Sequence, residues 1–225
     1  MARGKLIVID GIDGSGKGTQ ADLLVERLRA EGYAAVKADF PQYGQKSAGL
    51  VENYLNGRYG APHEVSPYVA SFFYMLDRYD ASFGLAERLS QGNIVVANRY
   101  VSANMGHQGG KFETQEARKR YFEWLSHYEY NVFGIPRPDV TLVLHVPPRI
   151  GQQLVSQKAA REYTGGASHD AHEADVSHLE AASQTYREMC ALFPDFKLIE
   201  CAPDGRMFSI EAVRELVWEH VTKII

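Results

Sequence analysis

The sequence contains few cysteines, no long apolar run and no excess of basic residues. Its two cysteines, Cys190 and Cys201, lack the spacing of metal ligands, which favours ordinary thiols in a reduced compartment over a disulfide framework. No apolar stretch is long enough to span a bilayer and the first residues lack the apolar core of a signal peptide, so we expect a cytoplasmic protein with no membrane partner. The net charge of -4 gives no general attraction to nucleic acid, which we do not expect as a partner.

The length and the apolar pattern indicate one α/β domain. A chain of 225 residues with 45% hydrophobic content suffices for one sizeable core and is short for two, so we predict a single domain over residues 1–225. Alternating strands and helices predict a five-stranded parallel sheet with helices on both faces, a three-layer sandwich whose nearly all-apolar strands are buried on both sides. The strands are predicted at 6–9, 34–38, 94–97, 141–146 and 196–199, and the helices at 18–30, 49–56, 67–90, 114–130, 149–158, 172–192 and 210–223.

A glycine-rich segment directly follows the first predicted strand. It runs from Gly11 to Thr19, and its glycines permit backbone conformations in which successive N–H groups surround a polyphosphate at the start of a helix. Lys17 adds a cation able to reach the outer phosphates. Gly18 stands where Ser or Thr usually follows this lysine, so we expect any contact between the Thr19 hydroxyl and a metal to be indirect. The alternative is a glycine-rich turn without a ligand, which the flanking strand and helix disfavour.

Polar residues follow other predicted strands, at the sheet edge where open α/β folds bind ligands. An arginine at that edge, opposite a phosphate loop, suits an anionic ligand. The alternative for Arg99 is a surface salt bridge, and for Asp39 and Asn98 it is a turn or a cap. The segments are Asp39-Phe40-Pro41-Gln42-Tyr43, then Asn98-Arg99-Tyr100 with Ser102, Asn104, His107 and Gln108, and finally Pro147-Pro148-Arg149.

The predicted helix at 67–90 carries a ring and a cation on one face. Tyr74 and Arg78 are four residues apart and therefore lie on the same side of the helix, where a planar ring and a guanidinium suit a nucleobase and its phosphate. For Phe72 and Phe73, core packing is favoured over ligand contact for at least one of the two.

The histidines and one polar segment give weaker signals. For His107, contact with a base or sugar competes evenly with a solvent-facing role. His169, His172 and His178 lack the spacing of a metal site, so we favour solvated side chains. Residues 162–170 lack apolar periodicity and lie between two predicted helices, which indicates a loop that closes over a ligand, with a plain surface connection as the alternative.

Together these segments resemble the thymidylate kinase family, a branch of the P-loop nucleoside monophosphate kinases, over essentially the whole chain. The resemblance implies the P-loop NTPase fold with a short lid, magnesium-dependent transfer of a phosphoryl group from ATP to dTMP for dTTP synthesis, and a homodimer formed by helix packing. The segments that carry it are Gly11-Ile12-Asp13-Gly14-Ser15-Gly16-Lys17, Phe40-Pro41-Gln42-Tyr43, Leu76-Asp77-Arg78, Asn98-Arg99-Tyr100, His107-Gln108-Gly109-Gly110, Arg137-Pro138-Asp139 and His172-Glu173-Ala174-Asp175.

The resemblance also implies roles for individual residues. Lys17 and Arg99 are expected to act in catalysis, together with Arg161 from a lid at about 158–172; Arg161 is preferred to Lys158 as the transition-state cation, and a solvated helix-end charge is the alternative for either. Magnesium is expected to contact Thr19 and Asp13 through water. The residues expected at ATP are Gly11, Asp13, Gly14, Ser15, Gly16, Lys17, Gly18 and Thr19. The residues expected at dTMP are Asp13, Phe40, Tyr43, Tyr74, Arg78, Arg99, Asn104, His107 and Gln108, with Tyr74 stacking on thymine.

Several positions depart from the family pattern. His107 stands where the family often has tyrosine, near the sugar carbon that distinguishes ribose from deoxyribose. The family has an arginine in or beside the Phe-Pro segment, whereas this sequence has Gln42 and Tyr43 there. Asn98 stands in place of the aspartate that normally precedes Arg99. Two alternatives therefore stay open: a kinase for another nucleoside or deoxynucleoside monophosphate, and a module that binds nucleotide to regulate a partner without catalysis.

Overall fold

The sheet has five parallel strands, as the sequence predicts. The computed structural model describes the backbone of residues 3–162 and 176–225, and their side chains except those of 158–162 and 176. The strands are β1 (Leu6–Asp10), β2 (Ala35–Asp39), β3 (Ile94–Asn98), β4 (Val140–His145) and β5 (Phe196–Glu200). They lie in the order β2-β3-β1-β4-β5, so β1 is central and the loop that follows it leaves the middle of the carboxyl edge.

Helices cover both faces of this sheet. The helices are α1 (Lys17–Ala30), α2 (Gly49–Leu55), α3 (Pro67–Ser90), α4 (Val101–Gly109), α5 (Gln115–Ser126), α6 (Pro148–Glu162), α7 (Val176–Leu192) and α8 (Ile210–Val221). The predicted helix at 114–130 is α-helical only to Ser126 and continues as a π-helix over His127–Val132. The helix α4 is not among the predicted helices, because several of its polar side chains face inward and break the amphipathic pattern.

Two apolar layers hold the fold together. Alternate strand residues such as Val8 and Val95 pack against α3, α4, α5 and α7, while Ile7 and Val96 pack against α1 and α8 on the opposite face. The central strands β1, β3 and β4 are almost fully buried, which matches their apolar composition. The edge strands β2 and β5 are largely half-buried, since each has a neighbouring strand on one side only.

The predicted lid lies almost entirely outside the described residues. The structure gives only the backbone of residues 158–162 at the end of α6, and the predicted loop at 162–170 begins where that description ends. His169 and His172 also lie outside it. Over the described part of the chain, no helix combines the length and apolar character needed to cross a membrane.

Candidate active site

The glycine-rich loop forms the turn between β1 and α1. Gly14 and Gly16 both have positive φ angles, and Gly16 is the residue directly before the first residue of α1. These conformations favour glycine, which explains why the turn needs it at these places. Lys17 is buried and begins the helix, so the positive end of the α1 dipole and the lysine side chain lie together at this loop, as an anion site requires.

Asp13 holds the loop lysine in place. The Lys17 ammonium donates to Oδ1 of Asp13 at 3.2 Å and to the carbonyl oxygen of Ile12 at 3.0 Å. Burial lowers the pKa of Lys17 and nearby Arg99 lowers it further, against the influence of Asp13. Burial alone would raise the pKa of Asp13, but Arg99 and Lys17 hold it well below its usual value. Asp13 is therefore an ionised carboxylate shared by two cations.

Arg99 is the second of these cations and has a strained backbone. It follows β3 with a φ of +65°, which is unusual for a residue with a side chain and is often found at functional sites. Its guanidinium is hydrogen-bonded to Asp13, and a second nitrogen lies 3.1 Å from Nε2 of His107. The alternative of a surface salt bridge is wrong, since this pair lies in a cavity beside the phosphate loop.

The arginine also fixes the state of two histidines. Because arginine only donates, Nε2 of His107 accepts from Arg99, and Nδ1 of His107 carries the proton that it donates to Nε2 of His178 at 3.1 Å. Burial lowers the pKa of His107 well below its usual value, which agrees with a neutral ring. The expectation that His178 is solvated is wrong: its ring is half-buried and stacks on His107.

One cavity brings together every residue expected at the acceptor nucleotide. It lies at the carboxyl edge of the sheet, between the phosphate loop, α3, α4 and the start of α7. The expected residues that line it are Asp13, Phe40, Tyr43, Tyr74, Arg78, Arg99, Asn104, His107 and Gln108. Of these, Gln108 has a buried side-chain oxygen without a hydrogen-bond partner among the described residues, which gives the cavity wall an acceptor for a ligand N–H.

Tyr74 and Arg78 face this cavity from α3. Tyr74 packs edge-on against the ring of Tyr54, with 6.2 Å between ring centroids. Arg78 is buried and paired with the buried carboxylate of Glu129. Phe72 and Phe73 do not line the cavity: Phe73 packs near Tyr54, while Phe72 is exposed at the surface.

Three buried carboxylates support the site without being among the residues predicted to bind a ligand. Asp10 accepts hydrogen bonds from the N–H of Gly11, the hydroxyl of Ser102 and the hydroxyl of Tyr186, and thereby ties the loop to α4 and α7. Its place at the end of an apolar strand, just before the glycines, was the available signal. The other two are Asp77, which accepts from the backbone N–H of Gln42 at 2.9 Å, and Glu129.

Three further predicted positions do not line the cavity. Asn98 donates from Nδ2 to Asp39 across β2 and β3 at 2.9 Å, so the two residues join neighbouring strands instead of capping a turn or helix. Arg149 is exposed near the start of α6. The side chains of Lys158 and Arg161 are outside the described part of the chain, so the lid cation stays a prediction.

The loop offers oxygen atoms suited to an ion that keeps its water shell. Within residues 3–162 and 176–225, no three His, Cys, Asp or Glu side chains are grouped as a metal cage. Magnesium needs only one or two protein oxygens when phosphates and water supply the rest. Asn98 has a buried side-chain oxygen with no partner among the described residues, and its amide lies next to Gly18. Thr19 is exposed on the first turn of α1.

Comparisons with known proteins agree on one family. A family model described as thymidylate kinase matches residues 9–194. The thymidylate kinase of Mycobacterium tuberculosis (strain H37Rv) is 28% identical over 187 residues, which cover 83% of this chain and 86% of that protein. The thymidylate kinase of Homo sapiens is 27% identical over 213 residues, covering 95% and 87%. A solved thymidylate kinase from Candida albicans shares the fold, with a TM-score of 0.73 at 21% identity over 99% of this chain and 93% of that one.

Proposed function

Because the chain belongs to the thymidylate kinase family, we propose that it transfers the γ-phosphoryl group of ATP to dTMP and yields dTDP and ADP. One observation supports this placement of the substrates. The same cavity is lined by Arg99 and Asp13, beside the phosphate loop, and by the ring of Tyr74 and the amide of Asn104. A nucleoside monophosphate suits such a cavity, since one of its ends is anionic and the other is a flat aromatic base.

Positioning and charge neutralisation supply the catalysis. An oxygen of the dTMP phosphate attacks the γ-phosphorus of ATP as the bond from that phosphorus to the oxygen of ADP breaks, so the protein must hold two polyanions in line. Lys17 and the loop N–H groups hold the ATP phosphates, and Arg99 holds the dTMP phosphate. In the structure Asp13 is hydrogen-bonded to both cations, and we infer that substrate phosphates share those cations with it when bound.

We place magnesium with ATP at the phosphate loop. Thr19 and Asp13 would contact its water shell, and the unpartnered oxygen of Asn98 adds a neutral acceptor for one of those waters. Bound magnesium supplies charge neutralisation at the transferring phosphates. Arg161 is proposed to add a further positive charge from the lid, and closure over the substrates would exclude water that otherwise hydrolyses ATP.

We also propose that two copies form a homodimer through α3. Its exposed apolar residues recur at alternating steps of three and four, the spacing that packs one helix against another. These residues are Val69, Phe72, Leu76, Tyr79 and Phe83. A second copy of the chain would cover this stripe. For location we propose the cytoplasm, where the free thiols of Cys190 and Cys201 stay reduced.

The proposed reaction is tested by ADP release in a coupled assay. The purified protein receives ATP and magnesium with dTMP, dUMP, UMP, CMP, AMP, GMP or thymidine, beside a sample without acceptor. Preference for dTMP supports the proposal. Preference for another monophosphate would keep the kinase and replace the substrate, and the ratio of activity with dUMP to activity with UMP reports how well the site excludes a ribose. Nucleotide binding without acceptor-dependent ADP release would favour a regulatory module.

A further inference from the structure

An ion pair whose two partners are both buried lies at the end of the cavity that we propose for the base. Arg78 is 2% exposed and Glu129 is fully buried. Nε of Arg78 donates to Oε1 of Glu129 at 2.8 Å, and a second guanidinium nitrogen donates to the same oxygen. Arg78 lines the cavity whereas Glu129 does not, so Glu129 acts from behind the cavity wall.

Burying the carboxylate of Glu129 at this position is energetically unfavourable. Its Oε2 atom is buried and has no hydrogen-bond partner among the described residues. Burial raises the pKa of Glu129, and the opposing influence of Arg78 does not offset it. Buried ion pairs of this kind contribute little to stability compared with apolar residues of similar size, so packing alone does not account for the pair.

The backbone around Glu129 is unusual as well. The residue lies in the π-helix over His127–Val132, between α5 and β4. A π-turn is less favourable than an α-turn and frequently occurs at functional sites, because the inserted residue changes the direction in which side chains point. Here the irregular turn belongs to the segment whose carboxylate meets Arg78.

The two ends of the cavity differ in charge. At the loop end, Arg99 and Lys17 share the carboxylate of Asp13. Asp10 also acts electrostatically on these two cations, but its oxygens accept hydrogen bonds from Gly11, Ser102 and Tyr186, so the cations and the loop N–H groups remain for a phosphate. At the other end, Glu129 compensates the charge of Arg78 and accepts from two of its nitrogens, and the third nitrogen lies 3.5 Å from the carbonyl oxygen of Tyr100. The remaining N–H groups of Arg78 are therefore the donors left for a ligand. An anionic group is therefore attracted to one end and an uncharged ring is accepted at the other.

We propose that Glu129 is a positioning residue that holds Arg78 at the base end of the acceptor site and compensates its charge, so that the acceptor phosphate is directed to Arg99. The inference rests on the proposed function for the identity of the acceptor. It predicts that Glu129 affects recognition of the nucleoside part of the acceptor and leaves ATP recognition unchanged.

The variant Glu129→Gln tests this directly, because it keeps the size of the side chain and removes the charge. Binding of dTMP and of thymidine is measured by calorimetry, and KM values for dTMP and ATP by the coupled assay. We expect both dTMP and thymidine to bind about tenfold more weakly, with the KM for ATP unchanged. A loss for dTMP but not for thymidine would assign Glu129 to the phosphate end and overturn the proposal, as would unchanged binding of both.

A matched control is available elsewhere in the chain. Arg118 and Glu188 form a two-bond pair, at 2.7 and 2.8 Å, whose residues do not line the acceptor cavity. The variant Glu188→Gln should leave the affinities for dTMP and thymidine as they are in the unsubstituted protein. Equal losses in both variants would mean a general effect of removing an ion pair, and the proposal would fail.

A double-substituted protein covers the case in which Glu129→Gln does not fold. Replacing both charges, in Arg78→Met with Glu129→Met, leaves neither unpaired and should preserve the fold. The comparison is Arg78→Met with Glu129→Gln, which also leaves no unpaired charge. If Glu129 acts through Arg78, the two double variants bind thymidine with the same affinity, and a difference between them would overturn the proposal. Absence of dTMP turnover in the unsubstituted protein would instead overturn the proposed function, which separates the two failures.

Discussion

A Cβ atom on Gly14 would lie 2.1 Å from the carbonyl oxygen of Gly151, so the phosphate loop packs directly against the backbone of α6. The φ of Gly14 is also positive, at +81°. The loop therefore has two reasons to require glycine here, one steric and one conformational.

We expect Gly14→Ala to destabilise the protein by more than the roughly 1–2 kcal/mol that a positive φ costs a residue with a side chain. Gly205→Ala is the control, because Gly205 has a φ of +71° and no atom near its added Cβ. Urea unfolding of both variants measures the free energies. Equal losses would show that the contact with Gly151 relaxes without cost.

Lys17→Ala should abolish turnover, since it removes the cation that we propose to hold the ATP phosphates. We expect kcat to fall on the order of a hundredfold or more, as for loss of other groups that stabilise transition-state charge. The coupled assay measures it, with circular dichroism to check the fold. Lys223→Ala is the control, because Lys223 is exposed and paired with Glu219 on the surface. Near-normal turnover in a folded Lys17→Ala protein would remove Lys17 from catalysis.

Most of the fold follows from local patterns in the sequence. The strands are predictable because both faces of the sheet are covered by apolar layers, so residues that point to either face, such as Val8 and Val96, are apolar. The helix that carries Asn104 and His107 is not, because those side chains face the cavity and interrupt the periodicity that identifies a surface helix. A helix that lines a site just after a strand can therefore be missed, because its polar residues resemble those of a loop.

The supporting residues of the site are harder to predict, since their partners are distant along the chain. Glu129 and Arg78, which form an ion pair, are 51 positions apart in the sequence. Tyr186 and Asp10, whose side chains are hydrogen-bonded, are 176 positions apart. No local spacing carries such information. Residues predicted to contact a ligand lie in recognisable segments, whereas residues such as Glu129, which hold them in place, are identified from the folded structure.

Arg161→Ala should lower kcat more than it raises KM for either substrate. The reason is that a lid cation acts on charge that develops during phosphoryl transfer, so its loss appears in the chemical step, on the order of a hundredfold. Steady-state kinetics with ATP and dTMP varied in turn provide the measurement. Lys158→Ala is the comparison. A larger loss for Lys158→Ala would make the lysine the lid cation, and a selective rise in KM would give Arg161 a role in ground-state binding.

His107 makes stability depend on pH in the mildly acidic range. Burial holds its folded-state pKa well below the usual value of about 6.5, so folding favours the neutral ring. The contribution of the neutral ring to the free energy of unfolding is complete above the unfolded-state pKa and is lost as the pH falls below it. The reason is that the unfolded chain then binds a proton at His107 that the folded chain does not bind.

Urea unfolding at pH 7.5 and 5.5 measures this effect. The unsubstituted protein should lose more stability between the two pH values than His107→Gln, which carries no proton to take up. His63→Gln serves as the control because His63 is exposed. If the two variants show the same pH dependence as the unsubstituted chain, the neutral ring of His107 contributes nothing to folding.

Phe83→Glu should separate the proposed dimer into monomers. Phe83 is 64% exposed and lies on the apolar stripe of α3, so a second copy would bury it, and a carboxylate there would have to lose its water against an apolar surface. Sedimentation velocity across a range of concentrations measures the change. Tyr33→Glu is the control: Tyr33 is 40% exposed and lies between α1 and β2, away from the stripe. A dimer that survives Phe83→Glu, or an unsubstituted protein that is monomeric throughout, would exclude α3 as the interface.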